Sequence, residues 1–220
     1  MSKIDIEKII TKMQITRKDT EPTAVESFIE LNKKRNPFKI LISTIISLRT
    51  KDEVTYESSK RLFKLGSTPR AISKLPTHKI QTAIYPCGFF RNKAKTIKEV
   101  SKKILYDYNG KTPNSIQELL KFKGVGRKTA NLVVILGYNK PGICVDTHVH
   151  RIFNRIGYVQ TQTPNQTEFE LRKKLPLKFW LPINSLLVFY GQKICRPISP
   201  ICSRCGVNNL CKKVGVHRKR

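Results

Sequence analysis

The chain has 220 residues, which suits one or two compact domains with a real core. It carries 43 Lys and Arg against 15 Asp and Glu, a formal charge of +28 that strains a compact fold and favours a polyanionic partner. With 39% hydrophobic residues it is too apolar for a disordered basic tail, and no apolar run approaches the roughly 18 residues of a membrane span.

The start, Met1 to Lys8, mixes charged and apolar residues and does not read as a secretory signal. Ile6, Ile9, Ile10 and Met13 follow the i, i+3, i+4, i+7 spacing of a helix. Glu21, Pro22 and Thr23 interrupt, and Val25, Phe28 and Ile29 open a second helix. Pro37 starts a third, Phe38 to Leu48, apolar on most sides and therefore central. Asp52 to Leu65 forms a fourth, stopped by Gly66. Thr68 before Pro69 is an N-cap followed by proline at the first helical position. Thr77 caps another short helix, ended by Pro86 and Gly88. Asn92 to Leu105 is basic and amphipathic, and Ser115 with Glu118 has the spacing of a capping box. Two-residue alternation is nearly absent, so the expected fold class is all-α. The basic run His217 to Arg220 reads as a solvated tail without a specific role.

The most informative stretch is Leu119 to Val134. A helix from Ser115 meets Gly124, Val125 and Gly126, and a second helix is expected from Arg127 to Leu136. Two glycines around one apolar residue allow a sharp turn and close backbone approach. The N–H groups that open the second helix lack partners within it and suit a phosphate. Val125 should pin the turn into the core. A plain αα-hairpin with glycine at a helix end is the competing reading. Lys121, Lys123, Arg127 and Lys128 favour the phosphate, because binding one needs positive charge.

Gly124 to Asn131 resembles the helix-hairpin-helix of DNA repair glycosylases, in the version found in endonuclease III-type enzymes. Val145, Asp146, Thr147 and His148 resemble that family's second catalytic motif at the family's spacing after Lys128. The resemblance implies that Lys128 is the nucleophile and Asp146 the catalytic carboxylate. One departure is Lys123, where the family commonly has proline. Taken alone, Lys128 also reads as a phosphate contact and Asp146 as a helix N-cap. Burial, Arg127 and a helix N-terminus would each favour the neutral amine that attack requires. His148 and His150 stand two apart, so on a helix they diverge and read as structural.

Cys195, Cys202, Cys205 and Cys211 supply four thiols within 17 residues. Such a set suits zinc or an iron–sulfur cluster, with disulfides the third possibility. Only one short Cys-x2-Cys knuckle is present, whereas structural zinc sites usually show two. The spacing resembles the [4Fe-4S] loop of the endonuclease III family, which implies that cofactor. The other two cysteines, Cys87 and Cys144, stand apart.

By position within the same resemblance, Arg49 and Phe89 match the two loops whose side chains enter DNA when a base is flipped out. An aromatic wedge at Phe89 suits stacking on bases, and the competing reading makes it an ordinary core residue. The expected organisation is a cluster domain, residues 1–22 plus 141–220, and a helical barrel domain, 23–140, with DNA in the cleft between them. The implied function is removal of oxidised pyrimidines from double-stranded DNA, with β-elimination at abasic sites through a lysine Schiff base. Two alternatives stay open. One is a monofunctional mismatch glycosylase of the same superfamily, which usually lacks lysine at the Lys128 position. The mismatch adenine enzymes also carry a further C-terminal domain, for which no residues follow Cys211. The other is a non-catalytic module that clamps phosphate with the hairpin. A monomer in an intracellular, reducing compartment, with no membrane contact, completes the expectation.

Overall fold

The computed structural model describes residues 4–17 and 35–220. The helix expected from Val25, Phe28 and Ile29 lies outside them. Every regular element among the described residues is helical, and none is long and apolar enough to cross a membrane. The described residues fall into two compact units, 35–142 in one and 4–17 with 143–220 in the other.

In the first unit Asn36 caps helix α2 (Pro37–Ser47), which follows α1 (Ile6–Arg17) in the chain, its Oδ1 accepting from the Lys39 N–H at 3.0 Å. Phe38, Ile40, Leu41, Ile42, Ile45 and Ile46 are all buried, so α2 is central. Around it run α3 (Asp52–Leu65), α4 (Pro69–Lys74), α5 (Thr77–Ile84) and α6 (Phe90–Asp107). Thr68 caps α4 by accepting from the Ala71 N–H at 3.2 Å. Thr77 does not cap α5: Pro76 holds the cap position, and Thr77 is already helical. The amphipathic helix starts two residues before Asn92 and ends two after Leu105. It buries Ala94, Ile97, Val100 and Ile104 beneath α2, α4 and α5.

Helix α7 (Ile116–Leu120) forms half of the expected capping box. Ser115 Oγ accepts from the Glu118 N–H at 3.3 Å. The Glu118 carboxylate turns instead to the Tyr108 hydroxyl at 2.8 Å and Lys121 Nζ at 2.6 Å. After the hairpin, α8 spans only Arg127–Leu132 and widens into a π-helical turn, Val133–Gly137, where a continuous α-helix to Leu136 was expected. Gly137 ends that turn against Pro37, where an added Cβ would lie 3.0 Å from the proline Cβ.

The second unit holds α1 (Ile6–Arg17), α9 (Thr147–Ile156), α10 (Pro164–Lys174) and α11 (Ile183–Lys193). Ile9, Ile10 and Met13 of α1 join Val149, Phe153, Leu171, Ile183, Leu187 and Tyr190 in one core. Helices α9 and α11 cross closely at Gly191, where a Cβ would meet the His148 ring at 2.1 Å. Beyond α11 the chain makes only short 3-10 turns, Cys202–Arg204 and Asn208–Leu210. The terminal run is not wholly a solvated tail. The Arg220 N–H donates to Pro200 O and Arg220 O accepts from the Ser203 N–H, each at 2.9 Å, while the side chains from His217 onward stay exposed.

Candidate functional site

The hairpin is built from three residues with different tasks. Val125 is 6% exposed and anchored in the core of its unit. Gly124 has φ +78°, and a Cβ there would approach Thr96 Cγ2 to 2.9 Å, so the turn itself demands glycine. Gly126 differs: its backbone is extended (φ −94°, ψ 177°) and a Cβ would meet nothing within 4 Å. Nothing inside its own unit requires glycine there. Its carbonyl accepts from the Ala130 N–H at 2.9 Å, which starts α8. Arg127 is half-buried, with its carbonyl accepting from Asn131 Nδ2 at 3.0 Å.

Lys128 is exposed, where the sequence reading allowed for burial. Its charge acts on Asp52, at the first turn of α3. Surrounding protein pushes the Asp52 carboxyl up from its ordinary pKa, and the Lys128 ammonium pulls it down. Asp52 thus belongs to the Lys128 neighbourhood, although no motif in the sequence marked it.

Asp146 stands in the other unit as the N-cap of α9. Its Oδ1 accepts from the His148 and Val149 N–H groups at 2.9 and 3.0 Å. The segment leading to it is held by Asn184 Nδ2, which donates to Cys144 O at 3.0 Å. His148 and His150 diverge. His148 Nδ1 lies 3.1 Å from Arg151 Nη2, and His150 Nδ1 lies 2.7 Å from Thr167 Oγ1.

No disulfide links Cys195, Cys202, Cys205 and Cys211. Cys195, Cys202, Cys205 and Cys211 are half-buried. Burial pushes the Cys205 and Cys211 thiols up, backbone hydrogen bonds from Val207 and Lys213 respectively pull them down, and Cys195 and Cys202 push both up. Arg155 Nη1 donates to Cys195 Sγ at 3.4 Å and the Lys213 N–H to Cys211 Sγ at 3.4 Å. Among the described residues no three potential ligand side chains are gathered to hold a single ion. The donor set nonetheless fits a thiolate-bound cluster: four soft ligands, with N–H groups directed at sulfur.

Arg49 and Phe89 are both exposed, Phe89 at 61%, which excludes the core reading of Phe89. Its neighbour Phe90 is partly buried and packs edge-on against Tyr85, the ring centroids 5.3 Å apart. Both Arg49 (φ 52°) and Phe89 (φ 59°) are left-handed. The Arg49 guanidinium lies 5.6 Å from the centre of the Phe89 ring. The structure therefore brings these two loops together.

Residues 42–177 match the model of the HhH-GPD superfamily base excision DNA repair proteins. The chain is 45% identical over 188 residues to the endonuclease III of Thermotoga maritima, covering 86% of this chain and 88% of that protein. It is 42% identical to the chloroplastic endonuclease III homolog 2 of Arabidopsis thaliana over 81% of this chain, but it spans only 48% of that protein. The fold superimposes on a trapped endonuclease III–DNA covalent intermediate, an estranged-adenine complex, with TM-score 0.83 and 31% identity over 97% of both chains.

Proposed function

The chain belongs to the HhH-GPD superfamily of base excision DNA repair proteins, and from that premise we propose that Lys128 is its nucleophile and Asp146 its catalytic carboxylate. It is a DNA glycosylase with abasic-site lyase activity, of the endonuclease III type. Oxidised pyrimidines in double-stranded DNA are its proposed substrates.

Breaking the bond between base and sugar builds positive charge on the sugar, which a nearby carboxylate stabilises. Asp146 accepts two backbone N–H bonds through one oxygen, which fixes the carboxylate in one orientation. The Lys128 amine, once neutral, attacks the anomeric carbon as the base departs with the bonding pair and gains a proton. The attacking nitrogen loses a proton, the bond from the anomeric carbon to the ring oxygen breaks and that oxygen takes a proton, so the opened sugar is left as a Schiff base with Lys128. Removal of the 2′ proton then expels the 3′ phosphate, and hydrolysis frees the lysine.

The observation that carries this reading is the division of labour in the hairpin. Gly124 is required by the turn and Val125 anchors it, whereas Gly126 is left open beside the exposed Lys128. An open backbone at the head of a helix admits a phosphate. Cys195, Cys202, Cys205 and Cys211 are the proposed ligands of a [4Fe-4S] cluster. When bound, it would supply iron–thiolate bonds that tie residues 195–211 together, and no base-release chemistry.

Arg196 and Arg204, both exposed, are proposed to reach DNA phosphates from this loop. The proposed setting is an intracellular, reducing one, which suits cysteines kept as metal ligands and not paired as disulfides. The test is strand nicking on a duplex with one abasic site. Nicking by the wild type and its loss in Lys128→Gln support the reading. Equal nicking by both proteins overturns it.

A further inference from the structure

Lys93 lies on the buried face of α6, in register with Ala94, Ile97, Val100 and Ile104, and is itself only 6% exposed. A lysine is rarely buried so fully without acceptors for its charge. Its Nζ donates to Ile46 O and Leu48 O, each at 2.6 Å, and to Thr50 Oγ1 at 2.8 Å. All three ammonium donors are thus used. They hold the end of α2 and the turn after it, which carries Arg49.

Thr50 extends the arrangement to the second loop. Its Oγ1 also accepts from the Gly88 N–H at 3.1 Å, and it donates to Leu48 O at 3.3 Å. The hydroxyl therefore uses its one proton and two acceptor sites. Gly88 is pressed against the first loop, where a Cβ would lie 2.5 Å from Arg49 O. Phe89 follows directly, and its carbonyl accepts from the Lys93 N–H at 3.0 Å.

We infer that Lys93 and Thr50 are positioning residues for base flipping: one buried ammonium and one hydroxyl lock the Arg49 loop to the Phe89 loop. Both Arg49 and Phe89 hold left-handed backbone, a conformation that surrounding bonds must impose. The hub supplies those bonds from beneath, leaving both side chains exposed. A side chain that replaces a flipped base must already be in place, since flipping costs unpairing and unstacking energy. This inference rests on the reading of Arg49 and Phe89 as the residues that enter DNA.

The test uses the full-length protein in single-turnover excision of an oxidised pyrimidine, placed either in a paired duplex or in an unpaired bubble. Lys93→Met removes the ammonium at similar length. Thr50→Val removes the hydroxyl at similar shape, and Thr50→Ser keeps it. Lys93→Met and Thr50→Val should slow excision from the duplex at least tenfold and from the bubble less than threefold. Thr50→Ser should behave as the wild type. Fluorescence of 2-aminopurine beside the lesion should show less unstacking in the two disabling variants. If Lys93→Met fails to fold, the Thr50→Val and Thr50→Ser pair decides alone. Equal losses on duplex and bubble, or none on either, overturn the hub. Arg49→Ala and Phe89→Ala serve as controls. If they leave duplex excision unchanged, the underlying wedge reading fails; if they slow it while Thr50→Val does not, only the hub fails.

Discussion

The Arg49 guanidinium lies over the Phe89 ring, 5.6 Å from its centre, and both residues hold left-handed backbone. An exposed cation–π contact is worth about 0.5–1 kcal/mol. A non-glycine residue in the left-handed region costs about 1–3 kcal/mol. The pair is thus a net expense to the fold, which points to a use other than stability. Arg49→Gly should leave the melting temperature unchanged or raise it, because glycine adopts φ 52° freely. The same variant should slow excision from a paired duplex several-fold. Thermal melts and single-turnover rates on one preparation check both halves.

The two hairpin glycines should separate cleanly. Gly124→Ala forces a left-handed alanine against Thr96 and should destabilise the protein by about 1 kcal/mol or more. Gly126→Ala meets no atom and keeps an ordinary extended backbone, so it should be neutral or stabilise by up to about 1 kcal/mol. Its DNA affinity should nevertheless fall by a similar factor on every duplex sequence, since the contact proposed for Gly126 is to the DNA backbone and not to bases. Denaturant melts paired with binding titrations at fixed salt measure the two effects.

Asp146 is a helix cap and, as proposed, a catalytic charge, and substitution can divide the two. Asn caps about as well as Asp, so Asp146→Asn should keep stability within a few tenths of a kcal/mol. Base release should slow strongly, because the charge opposing the cationic sugar is gone. Asp146→Ala loses the bonds to the His148 and Val149 N–H groups as well, and should cost about 1 kcal/mol of stability. Melts of both variants beside excision rates read the difference.

His150 supplies a pH dependence. Burial lowers its pKa below the ordinary 6.5. Between the lowered value and 6.5 the unfolded chain holds a proton that the folded chain does not, so stability rises with pH there. The contribution is complete above pH 6.5 and is lost as pH falls through that window. Melting temperatures from pH 8 to pH 5 should decline for the wild type, and His150→Gln should decline less over the same range.

Much of the fold was legible because its punctuation is local. Thr68 and Ser115 act as N-caps through their own side chains, and the apolar spacing of α1 and α2 reports which faces are buried. What escaped depends on distant partners. Glu118 abandons its capping box because Tyr108 and Lys121 offer its carboxylate other donors. The π-helical turn at Val133–Gly137 meets Pro37, nearly a hundred residues earlier in the chain. The tethering of Arg220 is by backbone alone, which no side-chain pattern records.

The candidate site shows the same contrast. Gly124 and Gly126 stand out by their spacing around Val125, and Lys128 and Asp146 through the resemblance to the endonuclease III family. Lys93 is one lysine among many in a basic helix, and only its register with Ala94 and Ile97 marks it as buried. Asp52 reads as the start of a helix until Lys128 is placed beside it in space.

The central claim is that the Lys128 amine bonds to the sugar, and borohydride trapping tests it most directly. Reduction converts a Schiff base to a stable amine, so enzyme and an abasic or thymine-glycol duplex should migrate as one covalent species on a denaturing gel. The account predicts that species for the wild type and its absence for Lys128→Gln, with duplex affinity changed little among 43 basic residues. Trapping that survives in Lys128→Gln would contradict it and assign the chemistry to another amine.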